Sequence, residues 1–100
     1  MIVVALESDP YKYNFYEQGL DVAMTLADLE QEIEVVLSGD FANAAAGADN
    51  NVIFKKKLLQ LELFDIKCIS AVENAVAKDY FVEEQAIYHV LQNAQRILTF

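Results

Sequence analysis

Five apolar residues in a row, Ile2-Val3-Val4-Ala5-Leu6, restrict this chain more than any other feature. A strand with one wet face alternates apolar and polar residues, whereas an unbroken run belongs to a parallel strand covered on both faces. Glu7-Ser8-Asp9-Pro10 then stops it. The closing stretch Arg96-Ile97-Leu98-Thr99-Phe100 is a second β-run. Its bulky apolar last residue argues for a segment tucked into a sheet or an interface, because frayed tails are polar. First and last strands are therefore both expected to be buried, in a small α/β domain.

Between these runs, strands and helices alternate. A helix is expected from about Asn14, a good N-cap, with Leu20, Ala23, Met24 and Ala27 on one stripe and Glu17, Asp21 and Asp28 facing away. Gly19 inside it costs about 1 kcal/mol relative to alanine, which points to close backbone packing. Ile33 to Leu37 reads as the second strand, closed by Ser38-Gly39-Asp40. Phe41 to Asn51, rich in Ala, Asn and Gly, reads as a loop with a short helical turn. A second long helix is expected from Val52 to about Leu63, with Phe54, Leu58 and Leu61 on one line. Ile53, Leu59 and Leu63 widen that face, which either deep burial or an oligomer contact would explain. Ile66 to Ala71 is the third strand, and Glu73 to Lys78 a short helical turn. Val82 to Ala94 is an amphipathic helix, and Ile97 to Phe100 the last strand. A β-α-β-α-β-α-β order predicts one open, mainly parallel sheet with Ile2–Leu6 central and helices on both faces. The whole of 1–100 is expected to be a single domain.

Composition narrows the partners. With 55% hydrophobic residues the chain can build a core. Residues 1–50 carry ten acids and one base, Lys12, while residues 51–100 carry six of each, so the net charge of −9 resides in the first half. An acidic surface repels phosphate backbones, so no direct nucleic-acid binding is expected; it suits a basic partner or plain solvation. Lys55-Lys56-Lys57 is the only basic run, either a solvated helix face or a docking patch for an acidic partner or RNA. A single cysteine, Cys68, excludes an internal disulfide framework, and a single histidine leaves no Cys/His zinc cluster. The apolar opening lacks the basic segment of a signal peptide, and no apolar stretch reaches the roughly 18–20 residues that span a bilayer. A cytoplasmic chain without a membrane partner is expected.

In parallel α/β sheets, ligands bind beyond the carboxyl ends of the strands. Ser8, Gly39, Asp40, Val72 and Glu73 are therefore the candidate strand-end pocket. The first strand is followed by neither a dinucleotide fingerprint nor a P-loop, so no cofactor is expected. Asp9, Asp40 and Glu73 could converge on a cation, yet carboxylates there are common loop residues, and no metal site is assigned. His89 has no motif-placed nucleophile to serve, and Ser8 and Ser70 lack a nucleophile-elbow setting, so no catalytic residue is assigned. Tyr11, Tyr13, Phe15 and Tyr16 crowd the segment after the first strand. With Phe54 and Leu58 they form a candidate interface, internal packing being the other reading. Cys68, inside the third strand, is expected to behave as a small hydrophobe with a raised thiol pKa.

Four segments carry a family likeness: Gly19-Leu20-Asp21, Val36-Leu37-Ser38-Gly39-Asp40, Leu59 through Leu63-Phe64-Asp65-Ile66, and Ile97-Leu98-Thr99-Phe100. Over nearly its whole length the chain resembles the DsrE/DsrF-like superfamily, most of all its TusC/DsrF branch. The resemblance implies a flavodoxin-like α/β fold and the role of a non-catalytic subunit in a cytoplasmic sulfur relay. Persulfide sulfur there travels toward 2-thiouridine at the tRNA wobble position or through a sulfur-oxidation pathway. The implied partners are homologous DsrE-like and DsrH-like subunits, or further copies of the chain, with sulfur-carrier proteins engaged indirectly. The family's sulfur-carrying cysteine lies at the carboxyl end of the third strand and falls on Val72 here, where no persulfide can form. Two other readings stay open: a stand-alone homo-oligomeric DsrE-like module binding a small ligand at the strand ends, and a thiol-dependent sulfur carrier using Cys68.

Overall fold

In the computed structural model, which describes residues 1–100, the run Ile2–Leu6 forms β1 and lies inside the sheet with a parallel neighbour on each side. One neighbour is β2 (Ile33–Leu37), which in turn pairs with β3 (Lys67–Ser70). The other is β4 (Arg96–Thr99). The order β3-β2-β1-β4 is fully parallel, as the apolar runs require.

Successive residues of a strand point to opposite faces, so the sheet builds two cores. On one face Val4, Leu6, Val35 and Leu37 meet α1 (Phe15–Asp28), α2 (Gly39–Gly47) and α3 (Ile53–Leu59). The other face is thinner: Val3, Val36 and Ile69 are covered by Ile87 of α4 (Glu84–Asn93). Gly19 lets α1 ride close to the sheet. A Cβ there would stand 2.6 Å from Leu6 Cδ2 and 3.0 Å from the Phe100 ring. No helix is long and apolar enough to cross a membrane.

Several expectations need correction. The stretch after Gly39, read as mostly loop, is the helix α2, because Phe41, Ala42 and Ala45 fall on one face and are wholly buried. The helix expected to reach Leu63 as a single α-helix ends at Leu59 and tightens into a 3-10 segment, Gln60–Phe64. Asp65 closes that segment in the left-handed region (φ 55°). The change of pitch turns Leu61 into the core and leaves Leu59 and Leu63 outside. No helical turn covers 73–77; the 3-10 turn lies at Lys78–Tyr80 instead. α4 begins at Glu84, because Phe81 and Val82 are drawn to β3: Phe81 bridges Ser70 and the Val82 N–H donates to the Ser70 carbonyl (3.0 Å).

The last strand is not buried like the first. Arg96, Ile97 and Thr99 are exposed, because β4 is a sheet edge with one neighbour. Leu98 is half-buried beside Val4, and Phe100 turns inward against the core under α1.

Candidate functional site

β1, β2 and β3 end side by side, and their carboxyl ends form the floor of a cavity of about 470 Å³. Ala5, Val36 and Ile97 line it from the sheet, and Ile87, Tyr88 and Leu91 from α4. The strand order reverses between β1, which leads outward to β2, and β4 on its other side, and the cavity reaches that point through Ala5, Glu7 and Ile97.

The rim is set by backbone geometry. Leaving β2, Ser38 donates its N–H to the Leu6 carbonyl (3.1 Å), and Gly39 adopts φ +55°. That conformation is one that side chains with a Cβ resist, and a Cβ there would also come within 3.4 Å of the Glu7 carbonyl. The turn thus aims the first residues of α2 at β1, and the Phe41 N–H donates to that same carbonyl (3.0 Å). The Ser38 hydroxyl donates to Glu7 Oε1 at 3.4 Å, a long contact. At the end of β3 the buried Ser70 hydroxyl donates to the Leu37 carbonyl (2.8 Å) and accepts from the Val72 N–H (3.1 Å). This fixes the backbone that presents Val72 to the cavity.

Of the five candidate pocket residues, Gly39 and Val72 line the cavity, and Ser8, Asp40 and Glu73 do not. Glu7, Ser38, Glu84 and Tyr88 stand there instead. Glu84 and Tyr88 come from α4, and only the packing of α4 over the strand ends reveals them. Asp9, Asp40 and Glu73 do not gather, and no three carboxylate, His or Cys side chains are placed to hold a metal ion. Asp9 is engaged in its own loop, where Oδ1 accepts from the Tyr11 N–H (2.9 Å). His89 lies on the exposed side of α4, where Asn93 Nδ2 donates to its carbonyl (2.8 Å).

The aromatic group divides. Tyr16 and Phe54 are buried and pack with Phe41, all within 6.2 Å centroid to centroid. Tyr11 stands edge-on to Phe54, while Tyr13 and Phe15 stack on each other with both rings exposed. Leu58 is half-buried against the core. The basic run also divides. Lys55 Nζ donates to the Ala45 carbonyl (3.1 Å), and Lys57 forms an ion pair with Glu17 over the Tyr16 ring. Only Lys56 points freely outward. Cys68 sits mid-strand under the helical face, and burial pushes its thiol up to about 12 against a nearby pull downward from Lys55.

No protein-family model matches the sequence, and no curated protein matches it. Among solved structures, the chain is similar to the ychN protein of E. coli, with 16% sequence identity and a TM-score of 0.72 over 99% of this chain and 97% of that one. At that identity the likeness is one of fold, an α/β architecture with a single parallel sheet shared over nearly the whole of both chains.

Proposed function

We propose that this chain is a non-catalytic, TusC/DsrF-like subunit of a cytoplasmic sulfur-relay complex, completing an assembly in which a homologous subunit carries the persulfide. The carrying observation is a strand-end cavity with its walls intact and Val72 at the place where the family's thiol falls. The fold likeness to ychN, a DsrE-like protein, supports the wider assignment to a sulfur-relay-related family. In this reading the chain shapes and shields a neighbour's site on the way to tRNA wobble thiolation or sulfur oxidation. Its partners are DsrE-like and DsrH-like subunits. Cys68 makes a poor carrier, because burial pushes its thiol up to about 12, which leaves on the order of one thiolate in a hundred thousand at neutral pH.

The test has two arms. Incubated with a persulfide donor and weighed intact, the purified chain gains no stoichiometric sulfur. Co-expressed with DsrE-like and DsrH-like subunits from the same genome, it elutes with them as one particle. A gain of one sulfur that Cys68→Ser abolishes would turn the assignment to a thiol carrier. Failure to join any such particle would turn it to a second reading, a homo-oligomeric small-ligand module, which the size of the strand-end cavity favours.

A further inference from the structure

A second cavity, of about 410 Å³, opens on the opposite side of the sheet, beside the β3 edge, and no step of the relay reading uses it. Its deep part is apolar. Leu37, Ile66 and Cys68 form the floor, and Leu61 and Ala75 close the sides, four of these five being nearly inaccessible from outside. Its mouth is polar and carries two cations. Lys55 is held in place by the Ala45 carbonyl at 3.1 Å, and Lys78 is exposed and takes part in no ion pair. One carboxylate, Glu62, also borders it, so the mouth has an excess of positive charge on a chain whose net charge is −9.

We propose that this cavity binds a small aliphatic carboxylate, its tail on the apolar floor and its head between Lys55 and Lys78. Size and lining match those of small-molecule sites, which are mostly apolar with a few placed polar groups. The sign of the charge selects the head group. An ammonium head would meet two like charges, and a neutral head would accept hydrogen bonds from the lysines without the added attraction of opposite charge. The volume suits a ligand of roughly ten non-hydrogen atoms.

Octanoate is the probe, with octanol and octylammonium as controls, each titrated into the full chain and followed by backbone amide NMR. Octanoate is expected to saturate one site, moving the amide signals of Leu58, Cys68 and Ala75. Octylammonium should leave them unmoved, and octanol should bind more weakly. Lys78→Gln, at an exposed position whose side chain makes no ion pair, should weaken octanoate about tenfold. Ala77→Trp, which crowds the mouth from an exposed position, should weaken it further. The proposal is overturned if octanoate does not saturate, or if octanol or octylammonium binds as well. It is equally overturned if the shifts map to Ile87 and Tyr88 at the strand-end cavity. None of these results bears on sulfur transfer, so the two readings fail separately.

Discussion

Ser70 has no solvent to fall back on. Its hydroxyl satisfies the Leu37 carbonyl and the Val72 N–H at once, tying β2, β3 and the loop beyond them. Ser70→Ala leaves both groups underserved and should cost about 1–3 kcal/mol in equilibrium urea unfolding. Gly19→Ala is the opposite kind of change, adding a methyl where Leu6 and the Phe100 ring already stand. It should cost roughly 1–3 kcal/mol by overpacking, and Leu6→Ala in the same chain should recover part of it. At Cys68 the expected signature is alkaline. The neutral thiol is the folded form up to about pH 12, whereas the unfolded chain ionises near its ordinary value of 9.0. The unfolded state therefore holds fewer protons over that interval, and stability present below pH 9 is lost as pH rises toward 12. Lys57, whose pKa is raised by its hydrogen bond to Glu17, adds a loss of the same sign as it deprotonates. Cys68→Ala should flatten the alkaline decline without abolishing it. A decline as steep as in the parent chain would remove the buried thiol as its cause.

At the scale of elements, the strands were plain in the sequence and the helices less so. β1 and β2 are apolar runs bounded by turn residues, and their limits match the structure. A run reads the same whatever packs on it, which is why sequence alone placed them. β4 shows the reverse. Its Ile97-Leu98 pair and the Phe100 after it suggest burial, but exposure depends on having one neighbour or two, and that is a property of the sheet. α2 was hidden because Gly39, Asn43 and Gly47 read as loop. The usable signal was Phe41, Ala42 and Ala45 at helical spacing in a stretch rich in alanine, the best helix former. Within the candidate site, Gly39 and Val72 were legible from their place after strands. Glu84 and Tyr88 were not, because they reach the site through the angle at which α4 crosses the sheet. The 3-10 segment supports a prediction of its own. If it hands Leu61 to the core and Leu63 to solvent, Leu61→Ala should cost about 2–5 kcal/mol and Leu63→Ala under roughly 1, measured by urea unfolding of the isolated chain.

The whole molecule leaves apolar surface without a cover. Ile53 is 67% exposed and Leu63 83%, and Tyr11, Tyr13 and Phe15 add further apolar area. Exposed apolar side chains in this number commonly mark an interaction surface. The relay reading therefore expects sedimentation at micromolar concentration to report a species larger than 11.2 kDa, with homologous subunits or with copies of the chain itself. Ile53→Glu combined with Leu63→Glu should drive it toward monomer with the fold retained. A stable parent monomer, alone and in the presence of those subunits, would refute that expectation.

The strand order also bears on time. β2 finds β1 and β3 through connections of moderate length, but β4 must pair with β1 across almost the full length of the chain, Arg96 against Ile2. Loop closure over that separation is entropically slow, so strands one to three are expected to assemble in the rate-limiting step and β4 to dock afterwards. Stopped-flow kinetics would register the difference directly. Val35→Ala should slow refolding, while Leu98→Ala should speed unfolding and leave the refolding limb where it was.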